Sequence, residues 1–352
     1  MFRLIFTATL FGLSLEATAA TWTVCSGGCD ATTIADGLDL CTDGDTLELG
    51  PGTYGEQVGI DVDVEIVATT PDMTHIAGTG DIAFVIFAPV EVTFRGLRMD
   101  SGVGAFTSLI AGSQATLDDV IITGVTLPDS NHMISGDQAV LTITNSRLEG
   151  FMSNNNYGAG VFCSYCSDVT IDNTVFSDIS ALEGACVDVY DSPMTITNST
   201  FDSCDARIGS GGGVKTAGYS SPLLVVDTDF NGNTTTEHGA AISTQIGGTV
   251  IGGAFSGNTA DQRGGAIYRI TDISGATFDL NSAAYGGAVY SEFIPLDITD
   301  STFTGNNAES NGGGAIYAGG SIDVTLTDVH FDQNHAGLVG GAMFAGWDGN
   351  QL

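Results

Sequence analysis

The residues best equipped for chemistry in this sequence are its carboxylates and its few cations. Asp and Glu number 42 against 8 Lys and Arg, a formal net charge of -34. Cleaving a glycosidic bond by hydrolysis takes two carboxylates facing each other across a cleft. Elimination from an acidic sugar takes a base, with cations to hold the substrate carboxylate. Arg207 and Lys215, the only lysine, lie in one glycine-rich stretch and are the weak catalytic candidates for the elimination. Asp118 and Asp119 are an adjacent carboxylate pair. His75, His132, His238, His330 and His335 are scattered and read as surface or corner residues. There is no Gly-x-Ser-x-Gly, no phosphate-cradling loop and no dinucleotide fingerprint.

The charge excludes some partners. Phosphate-binding surfaces need Lys and Arg, so nucleic acid and anionic membranes are not expected. An acidic shell attracts cations. Ca²⁺ is the one cofactor left open, through a recurring Asp or Asn at 119, 145, 173, 198, 227, 300 and 328. The same residues suit corners, because they hydrogen-bond their own backbone and tolerate the left-handed region.

Met1–Ala20 has Arg3, a short apolar run and small residues at 17–20, the pattern of a secretory signal peptide. Export permits disulfides. Cys25 and Cys29 flank a turn and are a candidate pair. Cys163, Cys166, Cys186 and Cys204 allow three pairings, and Cys41 is left over. Cys163-Ser164-Tyr165-Cys166 lacks the matching second half of a zinc site.

The elements that must position these residues repeat. Anchors at Leu97, Ile122, Leu148, Phe176, Phe201, Phe230, Phe255, Phe278, Phe303 and Phe331 lie 23 to 29 residues apart. An aliphatic sits five residues before each, from Val92 to Leu326. Asn233, Asn258, Asn281, Asn306 and Asn334 follow three residues after their Phe. A glycine-rich motif closes on Val161, Val187, Val214, Ile242, Ile267, Val289, Ile316 and Met343 with the same period. The unit holds about three short strands and no helix, which fits a parallel β-helix whose coils stack at about 4.8 Å. Phe and Asn then form internal ladders. A rough helical stripe over 31–40 is expected to cap the open end. The organisation reads as 1–20 signal peptide, 21–60 cap and entry strand, and 61–352 β-helix, clearest over 169–345.

The pair Phe-x-x-Asn and Gly-Gly-Ala-Ile, as in Phe303–Asn306 and Gly313–Ile316, resembles the chlamydial polymorphic outer membrane protein repeat. The segment Asp43–Leu47, Pro51–Tyr54 and Glu56 resembles the entry of pectin-lyase-like right-handed β-helices. The resemblance implies an all-β, right-handed parallel β-helix of about ten or more coils, at the outer-membrane surface of a bacterium or secreted. It implies adhesion or surface display, with a surface glycan or a host or neighbour-cell protein as partner, and because the sequence shows no catalytic constellation the role is expected to be non-enzymatic. The chain stops at Leu352 without the family's terminal barrel, so the last coil's edge is expected to need a partner or a further domain. The alternative is a polysaccharide-active lyase or hydrolase, though Gly-His-Gly, Arg-Ile-Lys and pectin esterase signatures are missing. A lateral cleft where Arg207 or Lys215 meets several carboxylates separates the two readings.

Overall fold

The structure is a computed structural model and describes residues 18–127, 132–153, 157–310, 312–320 and 322–346. The expected signal-peptide core and the stretch from Trp347 to Leu352 lie outside the described residues.

The chain is a parallel β-solenoid. One sheet has 13 parallel strands, from Thr21–Val24 to Val324–Thr327, one per coil. Each later coil adds three more short stretches. In one coil these run Asp272–Ser274, Thr277–Asp279, Ser282–Ala283 and Val289–Glu292. Four stretches thus replace the expected three, because the Asn corner breaks the second side in two. In the first coils the second and fourth ladders merge into the long strands Thr74–Ile86 and Arg98–Leu109.

Burial drives the winding. The aliphatic ladder Leu117, Ile143, Ile171, Ile196, Val225, Val250, Ile273 and Ile298 faces inward, every member essentially without exposure. The Phe ladder runs in register from Phe176 to Phe331, with successive ring centroids 4.6–5.3 Å apart and planes within 20°. The amide of each Asn from Asn233 to Asn306 donates to Oδ1 of the next at 2.9 Å. The same Oδ1 also accepts the preceding Asn backbone N–H, and the second amide proton goes to a Phe carbonyl, as Asn258 to Phe230 at 2.9 Å. Every polar atom of the column is thereby satisfied in a dry interior.

The recurring Asp and Asn before each Phe are corner residues. Asp119, Asn145, Asn173, Asn198, Asp227, Asp300 and Asp328 all have φ between 45° and 53°. They take the left-handed turn that their short polar side chains tolerate. Among the described residues, no group of three or more acidic, His or Cys side chains forms a metal site.

The start of the repeat needs a correction. Ile122 pairs with Met99 rather than Leu97, and Leu117 pairs with Phe94 rather than Val92. The first coil carries no Phe anchor of the later type, so the ladder begins two residues later than the spacing suggests. The cap is a short helix, Ile34–Leu38. The Thr33 hydroxyl accepts from Asp36 N, and the Glu56 carboxylate accepts from Ile34 N and Ala35 N. Together they satisfy the free amides of its first turn.

Three disulfides form: Cys25–Cys29, Cys163–Cys166 and Cys186–Cys204. Cys41 is a buried free thiol. The Cys-x-x-Cys at 163–166 is therefore a closed loop with no thiolate to offer a metal.

Candidate functional site

The fourth stretch of each coil points one side chain in and the next one out. The inward set is the closing aliphatic of the glycine motif. The outward set is the residue after it: Phe162, Asp188, Lys215, Ser243, Tyr268, Tyr290, Tyr317 and Phe344 pair in unbroken register. One ladder on the side of the solenoid thus carries a carboxylate and the only lysine on adjacent coils, flanked by aromatic rings.

Those two residues lie in a lateral groove of about 450 Å³. Its walls include Tyr157, Phe162, Glu183, Tyr190 and Ala217. Lys215 Nζ pairs with the Glu183 carboxylate and stands 3.5 Å from Asp188 Oδ2. It also lies 5.5 Å from the centre of the Tyr157 ring. The Asp188 side chain is 5% exposed, Lys215 20% and Glu183 28%. Asp188 is the floor of the groove, and Glu183 is its lip.

Local structure fixes this arrangement. Gly184 turns the corner before Asp188 at φ 49°, and a Cβ there would lie 2.6 Å from Asp188 Cβ. Cys186, two residues before Asp188, is tied to Cys204 of the next coil. The site therefore sits on a covalently braced strand.

The electrostatics follow from burial. Desolvation pushes the Asp188 carboxyl up to about 7, helped by the Glu183 charge and opposed by Lys215. Burial works against the Lys215 ammonium, but Asp188 and Glu183 outweigh it and hold it charged beyond its ordinary range. A protonatable acid near neutral pH beside a second carboxylate is the pairing used in general acid–base catalysis.

A stability prediction follows directly. In the fold Asp188 keeps its proton up to about pH 7, whereas its ordinary value is 3.8. The folded chain therefore binds the extra proton, and this stabilisation is complete below about pH 4 and lost as pH rises through about 7. Asp188→Asn should remove that component. Melting curves from pH 4 to 8 should slope less in the variant than in the parent, and equal slopes would refute the assignment.

Arg207 does not join the site. Its guanidinium donates to the carbonyls of Ala181 and Ser153 on preceding coils, a brace along the third ladder. Asp118 and Asp119 are also structural: Asp118 is held ionised by the Asn145 amide, Thr144 and Arg95, while Asp119 meets Arg98 at 3.5 Å. His132 stacks on Phe162 with centroids 4.4 Å apart, and burial lowers its pKa. His75 pairs with Asp100 at 3.0 Å, and His335 contacts Asn307 Oδ1 at 3.1 Å.

Further along the same face, Glu292 gathers Tyr268 and Tyr290 hydroxyls at 3.1 and 2.9 Å and Arg263 and Arg269 at 3.1 and 3.6 Å. Three hydrogen-bond donors and a second guanidinium at ion-pair distance surround it, so it ties neighbouring coils together as a structural knot. A smaller pocket of about 160 Å³ lies between this knot and the groove, lined by Lys215 and Ala217 of the groove and by Ser243, Tyr268 and Arg269. Sequence reasoning had named Lys215 but missed Asp188 and Glu183. The outward ladder was the available signal, since it is the register of the closing aliphatics moved by one residue.

Among solved structures, the chain is similar to a PL6 alginate lyase in complex with trisaccharide (TM-score 0.42, 12% identity, 88% of this chain and 84% of that one). It is similar to the catalytic domain of a GH87 alpha-1,3-glucanase in complex with tetrasaccharides (TM-score 0.44, 11% identity, 85% of this chain and 61% of that one). It is also similar to tailspike protein 3 of bacteriophage CBA120 (TM-score 0.45, 14% identity, 81% of this chain and 50% of that one). At these identities the likeness is one of fold. No curated protein matches the chain.

The expectation of a non-enzymatic adhesion or surface-display protein is corrected here. It rested on the repeat and on the lack of a catalytic constellation in the sequence, whereas the fold brings Lys215, Asp188 and Glu183 together in one lateral groove. No helix among the described residues is long and apolar enough to cross a membrane. The family model described as the right handed beta helix region matches residues 109–339, the span that carries both ladders and groove, and the chain belongs to that family.

Proposed function

We propose that the chain is a polysaccharide-active enzyme that hydrolyses a glycosidic bond in the groove of Asp188, Lys215 and Glu183. The observation that carries this reading is the contact of one partly buried ammonium with two carboxylates of unequal burial. Asp188, protonated near neutral pH, gives its proton to the glycosidic oxygen. Glu183, nearer the solvent, serves as the ionised partner that activates water or meets the sugar carbon. Lys215 stays charged, so it has no lone pair with which to abstract a sugar proton. This favours hydrolysis over elimination. Lys215 instead balances the negative charge as the acid loses its proton.

Export is part of the proposal. Three disulfides support it, since such bonds persist in oxidising compartments. The resemblance to the polymorphic outer membrane protein repeat agrees with a surface or secreted setting, where polysaccharides are met.

The test is incubation of the purified chain with alginate, polygalacturonate and soluble α-glucan. The expected result is release of reducing ends from one of them, without the ultraviolet absorbance of an unsaturated sugar. An absorbing product would replace hydrolysis by elimination. No cleavage of any neutral or acidic polysaccharide would remove the proposal.

A further inference from the structure

Three tyrosines stand in solvent beside the groove on three successive coils. Tyr165 is 55% exposed, Tyr190 41% and Tyr219 84%. Ser164, Tyr190 and Ala217 pair in register, so Tyr165 and Tyr219 occupy the turns that follow on either side of Tyr190. The Tyr165 and Tyr190 rings meet edge to face, with centroids 5.5 Å apart.

Their backbones are held firmly. Asp191 Oδ1 accepts from Tyr219 N and Ser220 N at 2.7 and 3.0 Å. Gly218 N donates to Gln245 Oε1 at 2.9 Å. Tyr165 takes the left-handed corner conformation, φ 53°, that Gln138 and Asp191 share on the neighbouring coils, and its N–H is bonded to the Tyr190 carbonyl at 2.8 Å. These turns hold the aromatic rings out in water, and the repeating left-handed corner fixes where each stands. Tyr190 also lines the groove with Asp188 and Lys215, so the two surfaces are continuous.

We infer that Tyr165, Tyr190 and Tyr219 form a platform on which pyranose rings of a polysaccharide stack, guiding the chain along the solenoid axis past Asp188. This rests on the reading of the groove as a polysaccharide site. The occupant is set by chemistry. A pyranose presents an apolar C–H face to a ring and hydroxyls to the phenol oxygens. Coils about 4.8 Å apart repeat the contact along an extended polymer. Tyrosine loses little conformational entropy when it binds, which suits it to this role.

The test separates binding from catalysis. Asp188→Asn serves as the non-cleaving parent, and its migration is measured in gels containing alginate, polygalacturonate or soluble α-glucan. One polymer should retard it. Adding Tyr219→Ala or Tyr165→Asn should weaken retardation about three- to tenfold each, the equivalent of one aromatic contact. Asn keeps the left-handed turn at 165 accessible. In the cleaving chain the same changes should raise KM on polymer more than on a short oligosaccharide. Retardation that neither substitution alters, or none by any of the three polymers, overturns the platform. So does a shift from dimer to monomer in sedimentation, which would assign the patch to a second copy. Tyrosine-dependent retardation without cleavage would keep the platform and remove the hydrolytic reading; cleavage with unaltered retardation would do the reverse.

Discussion

Asp188→Asn lowers turnover on the cleaved polysaccharide by about 10²–10⁴-fold, the range a positioned general acid supplies. The change keeps the side-chain volume and removes only the transferable proton, so the coil stack should remain folded. The parent's activity should fall as pH rises above about 7, because the acid is then ionised. In the variant that alkaline limb should vanish along with most of the activity. Lys215→Ala should be comparably inactive for a different reason. It leaves Asp188 buried beside Glu183 with no cation between them, which drives Asp188 to keep its proton more tightly. Its residual activity should therefore show an alkaline limb shifted to higher pH. If Asp188→Asn retained activity within about threefold of the parent, the proton would come from elsewhere.

The fold was legible because its determinants repeat and the site was not because its members do not. Phe255, Phe278 and Phe303 are constrained by rings above and below, so each coil must repeat the choice. The outward residue one position beyond the closing aliphatic stacks ring on ring only from Tyr268 onward; on the earlier coils no such column constrains it. There it is free to be Asp188, Lys215 or Ser243 on successive coils. A search for motifs misses such a site, because its residues lie 27 positions apart in the chain (188 and 215) and become neighbours only through the coil register. Glu183 is harder still, since it comes from a corner rather than a ladder. Arg207 and Lys215 looked equivalent in the sequence. They differ because Arg207 has backbone carbonyls of the third ladder within reach, while Lys215 has only carboxylates. At the start, Leu97 and Val92 were misaligned by two because Met99 and Phe94 take the places that Phe and an aliphatic hold later.

The second large effect concerns the interior. Asn258→Ala should destabilise the solenoid by about 2–6 kcal/mol, because it orphans two buried donors at about 1–3 kcal/mol each. Those donors are the Asn233 backbone N–H and one Asn233 amide proton, both bonded to Asn258 Oδ1 at 3.1 and 2.9 Å. The Phe230 carbonyl also loses its partner, and nothing nearby replaces it, since Asn233, Asn258 and Asn281 are all without exposure. Asn258→Asp is the sharper variant. It keeps an acceptor for Asn233 but turns acceptors toward Asn281 Oδ1 and the Phe230 carbonyl, so the new carboxyl must stay protonated. Its folded pKa is then raised above the unfolded one, and the variant should approach the parent at acid pH and lose stability as pH rises. Leu280→Ala, at a side chain 63% exposed, should change stability by less than about 0.5 kcal/mol and serves as the control. Because coils couple mainly to their neighbours, the loss should be read locally, as faster hydrogen exchange at the Asn233 and Asn258 amides as well as a lower denaturation midpoint. A cost for Asn258→Ala no greater than that of Leu280→Ala would mean that the stacked rings alone hold the coils and that the amide ladder merely accompanies them.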